Sequence, residues 1–131
     1  MMRRTRMPGA ARAALLLIFF AATAMPAGRG TTRRVRFAPG RTTAILKGAV
    51  LRADIDRYIL GARAGQTMIV HITSVENNAV FSVVRARHAA PLDGAQETTD
   101  WTGELPASGD YIIEVAPTRG NATYTLEVTI R

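Results

Sequence analysis

The sequence predicts an all-β chain: an antiparallel β-sandwich of jelly-roll type with about eight strands and no substantial helix after an N-terminal leader. Three observations carry that expectation. The segment Ala122–Ile130 alternates strictly. Tyr124, Leu126, Val128 and Ile130 point one way, and Thr123, Thr125, Glu127 and Thr129 the other, which is the period of a strand with one buried face. Turn chemistry recurs about every 8–12 residues, at Ala38-Pro39-Gly40, Ala64-Gly65-Gln66, Glu76-Asn77-Asn78, Pro106-Ala107-Ser108-Gly109 and Thr118-Arg119-Gly120-Asn121. Glycine, proline and asparagine supply backbone angles there that strands do not use. Beyond the leader, no stretch carries apolar residues at helical spacing.

The leader comes first in order. Met1–Arg12 holds Arg3, Arg4, Arg6 and Arg12 and no acid; the uncharged run Ala13–Ala22 follows, then Ala22-Thr23-Ala24. A charged start, a short apolar run and a small-residue cleavage site read as a secretory signal over 1–24. The run is shorter than the roughly 20 apolar residues of a spanning helix, so no membrane span is expected after cleavage, and a periplasmic location is. Residues 1–24 carry four of the 17 Lys and Arg and none of the ten acids, so their removal lowers the net charge from +7 to +3. Nucleic-acid binding thereby loses its main support. Residues 25–32 are Gly-, Thr- and Arg-rich and read as a flexible basic arm. Residues 33–131 are expected to form one β-sandwich domain.

Strands are expected at Arg33–Phe37, Thr43–Leu51, Arg57–Ala62, Thr67–Val75, Ala79–Arg85, Trp101–Leu105, Tyr111–Ala116 and Ala122–Ile130. Met68, Val70 and Ile72, and again Tyr111, Ile113 and Val115, repeat the period of two. The polar segment Ala86–Asp100, with Pro91 and Gly94, reads as a loop crossing between sheets.

The residues offer little for catalysis. The chain has no cysteine and two histidines, His71 and His88, so no thiol nucleophile, disulfide or thiolate metal site exists. His71 sits between Val70 and Ile72 on an expected strand and faces solvent or a packed layer. Asp54 and Asp56 stand two apart but lack the further oxygen ligands of a calcium loop; beside Arg52 and Arg57 they read as a solvated loop. Ser108-Gly109 lacks the flanking glycine and strand-to-helix setting of a nucleophile elbow. Asn121-Ala122-Thr123 matches a glycosylation sequon, a pattern common by chance. No enzyme, cofactor or metal is expected.

The ordered set Val35-Arg36-Phe37-x-x-Gly40, Gly48, Asp56-x-Tyr58, Ala64-Gly65-Gln66, Leu105-Pro106-Ala107-Ser108-Gly109-x-Tyr111 and Thr118-Arg119-x-x-Ala122 is similar to the periplasmic inhibitors of goose-type lysozyme. That family in turn resembles the pre-peptidase C-terminal domains, small β-sandwiches attached to secreted peptidases. The resemblance spans about Val35 to Ile130.

What the resemblance implies is a protein that plugs the cleft of a goose-type lysozyme, an enzyme with a catalytic carboxylic acid in a sugar-binding groove. An arginine fork suits that target. The family's binding surface is associated with an Arg-x-x-x-Arg loop before the last strand and an aromatic residue after the second strand. Here the first arginine matches Arg119, the second falls on Thr123, and the aromatic position falls on Ala53. Arg52 and Asp54 share the loop with Ala53 and join Arg119 as expected contact residues. A second motif, Ser108-Gly109-Asp110-Tyr111, resembles the Ser-Gly-x-Tyr signature of inhibitors of other lysozyme classes. Ser108 and Arg119 flank one strand at roughly 3.3 Å per residue, so they are expected at opposite ends of the sandwich. The alternative reading, also by resemblance, is a non-catalytic envelope module that holds polysaccharide, peptidoglycan or protein, with the arm Arg29–Arg36 docking an acidic surface.

Overall fold

The computed structural model describes residues 29–131; the expected signal, 1–24, lies outside the described residues. Eight strands follow in order: β1 Thr32–Arg34, β2 Thr43–Val50, β3 Asp56–Ala62, β4 Thr67–Ser74, β5 Ala79–Arg85, β6 Asp100–Glu104, β7 Gly109–Pro117 and β8 Ala122–Ile130. They form two four-stranded sheets, ordered β1-β3-β7-β5 and β2-β8-β4-β6. Every connection leaves one sheet and enters the other. Strands adjacent in sequence are therefore never neighbours in a sheet, and the loops at each end of the sandwich tie the two sheets together.

Alternation sets which side chains meet between the sheets. Tyr58, Leu60, Phe81, Val83, Tyr111, Ile113 and Val115 from one sheet face Met68, Val70, Ile72, Tyr124, Leu126 and Val128 from the other, each 2% exposed or less. Burial of each such side chain is worth about 1.5–3 kcal/mol. Edge strand β2 buries only its last residue, Val50, and leaves Ile45 largely exposed.

Two segments differ from expectation. Strand β1 is short and pairs with β3 in parallel, Thr32 opposite Arg57 and Arg34 opposite Ile59, whereas the other pairings are antiparallel. Of the expected arm 25–32, the described end is laid down: the Arg29 carbonyl accepts from Ile55 N (2.6 Å) and the Thr31 carbonyl from Arg57 N (2.7 Å). Arg34 pairs with Asp110 (2.7 Å), whose carboxyl is held below its ordinary range by that hydrogen bond. The crossing segment 86–99 runs back along the outer edge of β5. Leu92 N donates to Val83 O (2.8 Å), Val83 N to Ala95 O (2.9 Å), and Phe81 and Thr98 exchange both backbone bonds (2.9 Å). That segment covers an edge that would otherwise template association.

Asp56, expected in a solvated loop, is only 4% exposed. Its carboxylate accepts from Thr31 N (2.9 Å) and Thr31 Oγ1 (3.2 Å), and on the other oxygen from the Tyr124 hydroxyl (2.7 Å). Tyr124 has one hydroxyl hydrogen and gives it to Asp56, so Tyr58, at 2.5 Å, donates to the Tyr124 oxygen. Arg33 then donates to the Tyr58 oxygen (3.1 Å), its guanidinium 5.2 Å from the Tyr58 ring centre. The result is a one-way relay, Arg33 to Tyr58 to Tyr124 to Asp56, which satisfies a buried charge that would otherwise be costly. Burial first, then the bonds to Tyr58 and Asp56, push the Tyr124 hydroxyl far above its ordinary pKa. Gly48 opposite Tyr124 leaves room for it, since a Cβ there would lie 2.6 Å from the hydroxyl.

Candidate functional site

Three loops meet at the end where β2, β4 and β7 finish: 51–55, 75–78 and 118–121. Each turns through a residue with positive φ: Ala53 (70°), Asn77 (53°) and Gly120 (57°). A left-handed alanine is strained relative to glycine, so the surrounding bonds hold loop 51–55 in shape. Asp54 N donates to Leu51 O (3.0 Å), Ile55 N to Arg29 O (2.6 Å), and Arg52 N to Asn121 Oδ1 (2.9 Å).

Asn78 organises the other two loops. It is 2% exposed, and its amide donates to Arg119 O (3.1 Å) and Asn121 O (2.9 Å). Its backbone carbonyl accepts from Thr118 N (2.8 Å). Arg119 itself is exposed and donates from Nη2 to Glu76 O (2.8 Å). That single bond fixes the guanidinium's position, and its other donors have no partner among the described residues. The sequon asparagine, Asn121, has its side-chain oxygen engaged by Arg52 N.

The arrangement joins Arg119, Arg52 and Asp54 at one end, with Ala53 at its tip. Arg52 is exposed and Asp54 half-buried. Ser108 and Gly109 lie at the start of β7, nine residues long, and Arg119 lies just past its end, so the second motif is at the opposite pole. There Ser108 Oγ accepts from Ala64 N (2.9 Å), and the buried Tyr111 donates its hydroxyl to Ala107 O (2.6 Å). These bonds tie loops to a strand start. His71 pairs with Asp100 across β4 and β6.

Several residues escape a reading of the sequence alone. Leu51 is 57% and Val75 80% exposed, two large apolar side chains flanking the Arg119 loop. Strand alternation hides both, because each falls just past a strand end. Thr123 is exposed on β8 and shares a shallow cleft with Lys47, Thr73 and Val75. Lys47 thus supplies a cation near the position of the family's second arginine. Only the strand register, which sets Lys47 opposite Thr125, reveals that proximity. Among the described residues, no group of three or more acids and histidines could hold a metal.

Comparison with known proteins fits this architecture. No protein-family model matches the chain. An Escherichia coli K12 protein named inhibitor of g-type lysozyme is 30% identical over 118 residues, covering 85% of this chain and 84% of that protein. The chain belongs to the family of g-type lysozyme inhibitors. The crystal structure of Aeromonas hydrophila PliG, a periplasmic inhibitor of g-type lysozyme, superposes with a TM-score of 0.68 at 35% identity, over 79% of this chain and 98% of that one. The pre-peptidase C-terminal domain of a Bacillus anthracis collagenase shares the fold alone, with a TM-score of 0.55 at 14% identity over 78% of this chain and 96% of its own.

Proposed function

We propose that this chain is an exported, periplasmic inhibitor of goose-type lysozyme that occupies the enzyme's cleft with the loop end 51–55, 75–78 and 118–121. Membership of the inhibitor family and the functions its relatives are named for support the activity. One observation supports the choice of end: an exposed guanidinium, pinned by the Glu76 carbonyl on a loop stapled by Asn78. A lysozyme cleft presents a carboxylic acid, and the unengaged edge of Arg119 offers parallel donors to it. Because the loop is already ordered, docking loses less conformational freedom. Leu51 and Val75, exposed at the starts of the two loops beside 118–121, add apolar area to the same end, as interface anchors require. The protein acts by binding and performs no chemistry.

The test is a cell-wall lysis assay with goose-type lysozyme, with hen-type lysozyme as control. Arg119→Ala is expected to weaken inhibition by about thirtyfold, the equivalent of about 2 kcal/mol at an interface anchor, with Tm nearly unchanged. Wild-type protein without effect on the goose-type enzyme refutes the activity; an unchanged curve for Arg119→Ala refutes the site.

A further inference from the structure

The pole opposite Arg119 is built from loops 35–42, 63–66, 86–90 and 105–108. It gathers Arg36, Arg41, Arg63, Arg85 and Arg87. Arg41 and Arg63 border one open cleft with Phe37 and Gln66; Arg85 and Arg87 border a second beside Ser108 and Asp110. All but Arg85 are exposed. None of the five has a carboxylate within ion-pair distance among the described residues. Asp110, the acid in their midst, is neutralised by Arg34. Glu104 ends β6 beside loop 105–108 and, with Asp93, faces a separate cleft along the β6 edge at Trp101. Arg87 stands at a loop tip with φ 69°, a strained conformation for a residue whose side chain makes no hydrogen bond among the described residues.

We propose that this pole docks on the phosphate headgroups of an anionic lipid surface. The cations are dispersed over three loops and two open clefts, an arrangement suited to an array of phosphates. A single phosphate would call for converging donors in an enclosed site. Strand-wise nucleic-acid binding calls for exposed aromatic platforms, and here Phe37 is half-buried and Tyr111 fully buried. An export signal delivers the domain to membrane surfaces. Since the two poles are separated by the length of β7, a docked molecule keeps Arg119 directed away from the lipid. The proposal stands independently of the inhibitory activity.

Co-sedimentation of the exported chain with vesicles tests it, using one part phosphatidylglycerol to three of phosphatidylcholine against phosphatidylcholine alone, near 0.1 M salt, where charges act over about 10 Å. Binding only to the anionic vesicles, abolished at high salt, is expected. A surface arginine is worth about fivefold in partitioning, so Arg41→Ser with Arg63→Ser and Arg87→Ser lowers it about a hundredfold, while Arg52→Ala with Arg119→Ala leaves it intact. Thermal unfolding checks that both variants stay folded. No binding to anionic vesicles overturns the proposal, as does equal loss in both variants. Competition by millimolar inorganic phosphate at constant ionic strength, or tighter binding to duplex DNA than to vesicles, also overturns it.

Discussion

Replacing Tyr124 with phenylalanine removes one oxygen from the interior and cuts the relay at its centre. Asp56 keeps its two Thr31 donors but loses the donor on its second oxygen. A hydrogen bond to a charged group contributes about 1.5–3 kcal/mol, and the Tyr58 hydroxyl, stripped of its acceptor, adds about 1 kcal/mol. Asp56, Tyr58 and Tyr124 are each 4% exposed or less, so water is a poor replacement for these partners. The expected loss is about 3 kcal/mol, a large share of the 5–15 kcal/mol typical of a domain. For a domain of about 100 residues that lowers Tm by about 12–18 °C.

The same variant carries a pH signature. Folding raises the Tyr124 pKa, so the folded state keeps the proton that the unfolded chain releases near pH 10. Below that pH both states are protonated and the stabilisation is complete. Above it the unfolded state binds fewer protons, and stability falls by about 1.4 kcal/mol per pH unit. Phenylalanine cannot titrate, so the gap between wild type and Tyr124→Phe narrows as pH rises above about 10. Denaturant unfolding at a series of pH values measures it. A Tm drop below about 4 °C, or a gap constant from about pH 8 to 11, refutes the reasoning.

Gly48→Ala, whose Cβ would press on the Tyr124 hydroxyl at 2.6 Å and on its ring carbon Cζ at 2.8 Å, is expected to cost about 1–3 kcal/mol; in a Tyr124→Phe background the ring carbon is still in the way but is no longer tethered to Asp56 and can shift, so the cost falls, which a double-mutant cycle detects. Leu51→Ser with Val75→Ser should weaken lysozyme inhibition more than tenfold, about 1.4 kcal/mol, with Tm within about 2 °C because both side chains are exposed; equal inhibition removes them from the interface. Ser108→Ala strips the Ala64 amide of its acceptor and should lower stability by about 1 kcal/mol while leaving inhibition as it was.

Much of the fold is legible because burial imposes its period on the chain. Tyr124, Leu126, Val128 and Ile130, or Tyr111, Ile113 and Val115, announce an inward face whatever lies opposite. Alternation does not say which strand lies alongside, so neither the parallel seat of β1 nor the edge pairing of 86–99 is readable from it. Asp56 shows the same limit. Its neighbours in sequence are Asp54 and Arg57, which make it look solvated, but its partners are Thr31 and Tyr124, 25 and 68 positions away. At the candidate site Arg119 and Arg52 can be named from the chain alone. Asn78 cannot: an asparagine in Glu76-Asn77-Asn78 looks like any turn residue until its amide is found holding the 118–121 loop.

The departures at Ala53 and Thr123 bear on how the proposed inhibitory end tolerates change. Each connection crosses between sheets, and at this pole the loop 118–121 joins the other two: Asn121 accepts from Arg52 N, Arg119 donates to the Glu76 carbonyl, and Val75 N donates to Thr123 at the start of β8. Side chains from different loops therefore lie within reach of one cleft wall, and an anchoring side chain missing from one loop can be replaced from another. Lys47 brings a cation beside Thr123, and Leu51, two positions from Ala53, brings apolar area where the aromatic is missing. A lysine is a point charge and lacks the paired donors of an arginine, so the exchange preserves attraction better than geometry. Discrimination between lysozymes is then expected to change more readily than the ability to bind one, because the loops are held by backbone bonds and Asn78 and not by the side chains that differ.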